Sequence, residues 1–303
     1  MAPSDSAPPW GVSHARRCAQ ALNSLHSIPY FTADLGEELA PFGVEDHSSV
    51  YLTGRASPLG AADAPLVTAV LNSFAPSLVA ARVPALWQHL TPARAVEARL
   101  SAAGRCLERL LGAETIASPA MSEAAELATE AALAGTVAGR PLYAANLALE
   151  RPDEPHIALW HASTLLREHR GDGHLTVLDW HEITGIHCLV LDCASGHGMP
   201  EEIVRPMRGW TEKDWAAARQ DLQDRGLVDG HGRLTPRGAQ LRDDIEDDTG
   251  RLDRRPYDTL GATGTEKLGR YVHGLVHRAA HAGIFPPPLA AFFAPATEKW
   301  NDL

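Results

Sequence analysis

One stretch of this 303-residue chain narrows its fold more than any other: Leu222-Gln-Asp-Arg-Gly-Leu-Val228, followed closely by Leu234-Thr-Pro-Arg-Gly238. In the first motif a helical run meets glycine, which ends helices, and then two apolar residues suited to a strand. In the second, threonine stands as an N-cap with proline at the first helical position, where a missing N–H costs nothing. Residues 226–238 therefore predict two short strands about a glycine-rich turn. A helix over 211–225 leads into them, opened by Thr211 and Asp214 as a capping-box variant, and a helix over 239–251 leads out.

Helical spacing also dominates upstream. Apolar residues at helical intervals predict helices over 13–27, 34–40, 64–74, 76–87 and 91–111, and an Ala-rich helical stretch over 118–149 broken at Gly139-Arg140-Pro141. The segment 48–59, with Tyr51 and Arg55, reads as a loop or short extended piece ahead of Gly60. Arg151-Pro-Asp-Glu-Pro155 predicts a boundary, because two prolines in a polar run disfavour helix and strand alike. Beyond it come a helix over 156–170, a turn at Gly171-Asp172-Gly173, a helix over 174–183, a turn at Thr184-Gly185, a helix over 186–193 and a Gly- and Pro-rich loop over 195–209. The expected organisation is a disordered leader (1–12), a helical N-terminal domain (13–150) and a second domain with the wing and C-terminal helices (156–303).

The wing-flanking motifs resemble those of MarR-type winged helices. More narrowly, Trp160-His-Ala-Ser-Thr-Leu-Leu-Arg-Glu-His-Arg-Gly-Asp-Gly-His174, Gly209-Trp-Thr-Glu-Lys-Asp-Trp215 and the group Tyr51-Leu, Arg55-Ala and Pro58-Leu-Gly60 resemble an actinobacterial family of MarR-like helix-turn-helix proteins. The likeness covers most of the chain. It implies a mainly α protein: a helical N-terminal domain, a winged helix-turn-helix with a small two-stranded β-wing, and a homodimer formed through terminal helices. On activity it is nearly silent. A loose echo of Arg55-Ala-Ser-Pro-Leu-Gly60 at 170–174, with Trp87 and Trp210 in corresponding places, leaves tandem winged-helix-like halves open.

Charge opposes the activity such a frame suggests. A net charge of -11 repels phosphate backbones, whose sequence-independent affinity comes from basic side chains displacing counterions. Over 211–225, Lys213, Arg219 and Arg225 stand against Glu212, Asp214, Asp221 and Asp224, and beyond Arg233 and Arg237 lies the acidic run Asp243-Asp-Ile-Glu-Asp-Asp248. DNA is thus a disfavoured partner. Four irregularly spaced cysteines fit a reducing cytoplasm better than a disulfide framework. The N-terminus lacks the marks of a secretory signal and no apolar run reaches the length of a spanning helix, so neither export nor membrane insertion is expected.

The densest chemical signal is Arg167-Glu168-His169-Arg170-Gly171-Asp172-Gly173-His174. Read as a turn, it lets backbone approach a ligand, and His174 then opens a helix whose free N–H groups favour an anion. Arg167 and Arg170 would clamp a carboxylate or phosphate, while Glu168, Asp172, His169 or His174 would orient or move a proton. The same residues also fit an Asp172 N-cap within an Arg–Glu network locking two helices. Tyr51 and Arg55, with Tyr30, Phe31 and His26, form a second polar–aromatic group that would supply the opposite wall of a cleft between the halves.

Seven histidines lie between His156 and His197, and His273, His277 and His281 form a helical column, yet no HExxH or other ligand spacing appears. No cofactor is expected, although a His-bound divalent ion stays open; GxSxG, Walker A and GxGxxG motifs are absent. The sequence thus points to a MarR-like protein that binds a small, anionic molecule and has left DNA, with acid–base catalysis in secondary metabolism left open. The rivals are a ligand-responsive transcriptional regulator and a protein that sequesters a metabolite unchanged.

Overall fold

The computed structural model describes residues 11–196, 198–289, 293 and 300; most of the expected leader and the last of the seven histidines, at 197, lie outside the described residues. The described chain is almost entirely helical. Helices α1 (Gly11–Ser27), α2 (Asp34–Leu39), α3 (His47–Ala56), α4 (Ala64–Val70), α5 (Pro76–His89), α6 (Pro92–Leu111), α7 (Ala113–Ile116), α8 (Pro119–Leu133) and α9 (Pro141–Leu147) precede a long α10 (Pro155–Trp180). They are followed by α11 (Gly185–Ala194), α12 (Glu201–Met207), α13 (Glu212–Asp224), α14 (Pro236–Leu252) and α15 (Arg254–His281), the last interrupted at Gly261, whose φ is 65°. Side-chain caps set many of the starts: Thr91 opens α6, Ser118 opens α8 and Thr235 opens α14, each with proline next in the chain. At α13 both bonds of the Thr211–Asp214 capping box form.

Four expectations are corrected. First, 48–59 is mostly helix: Asp46 accepts the Ser49 N–H at 3.1 Å and nucleates α3, a cap lying just outside the segment taken for a loop. Second, α12 lies within the expected loop 195–209, with Pro200 at its N-cap and Pro206 confined to its last turn, where the helix is already ending.

Third, the chain does not turn at Gly171-Asp172-Gly173; α10 runs straight through. Only Gly171 is closely approached. A Cβ at Gly171 would stand 3.0 Å from the Arg167 guanidinium, and one at Gly173 would touch Arg140 and Leu252. Asp172 caps another helix, accepting the Tyr143 N–H at 2.9 Å in the first turn of α9. Consequently His174 does not open a helix, and the free helix-start N–H groups expected there to favour an anion are engaged within α10. Fourth, the wing has one antiparallel bridge, Val228–Leu234, in place of two strands. Asp229 draws the turn tight by accepting N–H groups of His231 and Arg233, and Thr235 caps α14 directly after Leu234, so no length remains for a ladder.

Buried residues fall into two clusters. The larger joins α1, α3, α6, α8, the first half of α10 and the second half of α15, with Leu22, Leu52, Leu107, Trp160, Leu268 and Val272 at its centre. The smaller joins the end of α10 to α11–α14 through Val177, Leu191, Trp215, Leu222 and Ile245. Residues 150–154 are a loop, yet the clusters do not divide there, because α10 carries side chains of both. One rigid helix therefore fixes how the two parts sit together.

Candidate functional site

Tyr51 and Arg55 stand one turn apart on α3, a spacing that puts both side chains on one helix face. Opposite them α10 presents Glu168. Arg55 grips its carboxylate with two parallel bonds, Nε to Oε1 at 2.9 Å and Nη2 to Oε2 at 3.0 Å, while Nη1 donates to the Tyr51 hydroxyl at 2.6 Å. Arg55 is 2% exposed and Glu168 1%. Such a bidentate pair is among the stronger charge-assisted contacts, and burial makes loss of either partner costly. Arg167 adds a second cation, donating to Glu168 Oε2 at 2.6 Å. Against the cost of burial, Arg167 and Arg55 hold the Glu168 carboxyl down at about 2.

Beside this pair lies a cavity of about 130 Å³ lined by Tyr51, Arg55, Arg167 and Arg208, with apolar walls from Tyr30, Phe74, Met199 and Met207. A void of about 150 Å³ accepts a benzene ring, so the space suits one small molecule. Arg208, between α12 and α13, lays its guanidinium over Phe74 at 4.3 Å and over Tyr51 at 5.4 Å. Its Nε is buried with no hydrogen-bond partner, as is the Tyr30 hydroxyl. The lining among the described residues holds three guanidiniums and no carboxylate; Glu168 behind it offsets one charge.

Burial alone would raise the Tyr51 phenol, but Arg55, Arg208 and Arg167 outweigh it and bring the group down to about 7. His26, hydrogen-bonded to Thr164 at 2.9 Å, is held neutral by burial and then by Arg55. The result is a small, aromatic, positively charged chamber with a phenol that titrates near neutrality.

Of the residues picked out in the sequence, the structure brings together Tyr51, Arg55, Arg167 and Glu168. It does not bring His169, Arg170, Asp172 or His174 to that chamber. His169 is buried elsewhere, its Nδ1 2.7 Å from Asp253 and its Nε2 accepting the Thr136 N–H, so both ring nitrogens are committed. Arg170 pairs with Glu246. Asp172 caps α9, and burial pushes its carboxyl up to about 6. His174 faces a separate cavity of about 190 Å³ with Cys188, Asp192, Arg242 and Glu246; it bonds Thr249 at 3.0 Å, and burial, then Arg170, lowers it to about 4. Arg208, Phe74 and Met207 were not picked out; their approach to Tyr51 depends on how the two parts dock, which local sequence does not encode. Among the described residues no three His, Cys, Asp or Glu side chains are grouped to hold a metal ion.

Comparison with known families gives a match to a helix-turn-helix family over residues 15–286. The chain belongs to this family. No curated protein and no solved structure matches it significantly. Helices α12 and α13 are joined by a short turn through Arg208, Gly209 and Trp210, and α14 follows them in the chain. The turn is pinned to the helical body: the Ala75 N–H donates to Arg208 O at 2.8 Å and Trp210 Nε1 donates to Ser73 O at 2.9 Å. At the start of α11, Gly185 packs so closely on Asn72 that a Cβ would fall 1.9 Å from its carbonyl oxygen.

The outer face of α13 exposes Glu212, Asp214, Asp221 and Asp224 against Lys213. Four arginines of the stretch from α12 to the start of α14 are paired within it: Arg205 with Glu212, Arg219 with Glu201, Arg225 with Asp221 and Arg233 with Asp229. No helix among the described residues is long and apolar enough to cross a membrane.

Proposed function

We propose that α12 and α13 are the helix-turn-helix of this protein, and that it binds a small organic anion in the chamber between them and the helical body. One observation carries the reading: three guanidiniums line a ring-sized, aromatic-walled space that no carboxylate of the described residues enters, and the Nε of one, Arg208, is buried without a partner. A buried donor left unsatisfied costs about 1–3 kcal/mol, which an anionic guest would recover. Arg208 and Arg167 hold the anionic group, Tyr30, Phe74 and the methionines enclose the apolar body, and Arg55 stays tied to Glu168 as a fixed support. His169, His174 and Asp172 stand apart from this chamber, each engaged by another partner, which gives them no part in its chemistry.

The test is calorimetric titration of benzoate and of sulfate into the wild type and Arg208→Ala. Saturable binding that weakens about tenfold or more in the variant is expected, from loss of a charged hydrogen bond of about 1.5–3 kcal/mol. No binding of either anion to the wild type would overturn the reading.

The acidic face of α13 and the internally paired arginines support a helix-turn-helix of MarR-like type that has ceased to grip DNA. A second reading, a ligand-responsive regulator, is favoured by one fact: Arg208 belongs both to the chamber wall and to the turn joining α12 to α13. A gel shift with the protein's own upstream DNA separates the two. Saturable, steeply salt-sensitive binding would establish the regulator, and its absence at low salt the non-DNA role.

A further inference from the structure

The chamber's cations face two claimants, any anionic guest and the Tyr51 oxygen. We propose that Tyr51 is the proton-accepting residue of this site, so that a weak organic acid enters with its proton, the anion going to Arg167 and Arg208 and the proton to Tyr51 Oη. The proposal rests on the anion-site reading above.

The geometry around the phenol carries it. Arg55 Nη1 donates to Tyr51 Oη at 2.6 Å, which leaves that oxygen's own proton free of Arg55. The Arg208 guanidinium lies 5.4 Å from the ring centre, and Arg167 reaches the same chamber from α10. Among the described residues, the other titratable groups facing this space do not supply a rival acceptor. His26 on α1 is already hydrogen-bonded to Thr164 and kept neutral, and Glu168 on α10 is saturated by Arg55 and Arg167. Tyr30, in the turn after α1, has its phenol raised by burial, with Arg99 of α6 behind it as a further cation. His47 stands at the start of α3 on the exposed rim.

With the chamber empty, three cations stabilise a phenolate at Tyr51 near neutral pH, as the lowered value of about 7 also indicates. When a carboxylate takes up two of those cations, the phenolate loses part of its stabilisation and gains a like charge as neighbour. Both changes favour the phenol. For a neutral guest the exchange balances directly: the guest's O–H bond breaks, its electron pair stays on the carboxylate, and an O–H bond forms on Tyr51. For a guest added as its anion, the proton comes from solvent. Linkage requires the converse as well, so protonation of Tyr51 tightens anion binding by the same factor.

The experiment follows benzoate binding to the full chain at pH 8 in two buffers of different ionisation heat, with absorbance near 295 nm recorded for tyrosinate. The wild type should take up about one proton per benzoate and lose the absorbance of one tyrosinate, and Tyr51→Phe should bind benzoate with no proton uptake. Bleaching of the wild type needs no variant, so a misfolded Tyr51→Phe leaves the test intact. Benzoate binding with neither proton uptake nor bleaching would overturn the role of Tyr51 and leave the anion site standing. Failure of both benzoate and sulfate to bind would overturn the site itself. A ligand-free tyrosinate signal near neutral pH that survives in Tyr51→Phe would assign the proton to another residue and overturn the proposal.

Discussion

Arg55 on α3 and Glu168 on α10 form a bidentate ion pair almost wholly out of contact with water, and it is the direct charged tie between the chamber's two walls. Taking one partner away leaves the other charged and buried. Glu168→Gln should therefore cost about 3–5 kcal/mol in chemical denaturation, whereas Arg167→Gln, which removes a partly exposed cation from a carboxylate still held by Arg55, should cost far less. The acid limb of stability carries the same signature. Because the folded Glu168 carboxyl lies at about 2, below its ordinary value, its contribution is fully present above the unfolded value and is lost as pH falls toward 2. Glu168→Gln should flatten that limb. Equal losses in the two variants would contradict the picture.

Much of the helical frame is legible in the sequence because caps are local: Thr91, Ser118, Thr211 and Thr235 each reach a backbone N–H within their own first turn. The site is legible only in part. Arg55 and Glu168 are 113 residues apart, and their residue types advertise charge without naming a partner. Arg208 lay in a stretch whose prolines suggested loop, and its aromatic neighbours arrive from α3 and the α4–α5 connection. The cluster at 167–174 misled for the opposite reason. Its residues are adjacent in sequence, but a helix sends successive side chains around its circumference, so Glu168, His169, Arg170 and His174 reach different partners.

Asp172 gives a pH prediction of opposite sign to Glu168. Burial first, and then the neighbouring Glu168, raise its carboxyl to about 6 although it accepts the Tyr143 N–H. A folded value above the unfolded one means that the folded state holds the proton more tightly, so stability is fully present below about pH 4 and declines as pH rises through 6. Asp172→Asn keeps an acceptor for Tyr143 and removes the charge. It should be more stable than wild type at pH 7.5 by about 1–3 kcal/mol, with the difference vanishing below pH 4. Thermal unfolding across pH checks this, and a variant less stable at every pH would contradict it.

The contact between the 71–76 connection and the start of α11 can be loosened at one atom. A methyl group at Gly185 would meet the Asn72 carbonyl at 1.9 Å, and since the obstacle is backbone it cannot swing aside. Gly185→Ala should cost about 1–3 kcal/mol or more and expose the 71–76 connection to limited proteolysis. Gly250→Ala, at a helical position with nothing within 4 Å, is the matched control and should be neutral or stabilising. Equal protease resistance in both variants would show that the contact does not hold the parts together.

Whether α10 runs unbroken through its two glycines has its own mutational signature. In a turn requiring a left-handed backbone, alanine at Gly173 would be strained; in a helix it removes unfolded-state freedom and supplies a better helix former. At Gly173 the added Cβ would meet Arg140 Nη2 at 3.4 Å and Leu252 Cβ at 3.6 Å, which are ordinary contacts. Gly173→Ala should therefore raise stability by about 0.5–1 kcal/mol in urea denaturation. A loss of similar size would mean that the chain bends there, that the two cores are not carried on one rod, and that the chamber between α3, α10 and the Arg208 turn is not held in a fixed shape.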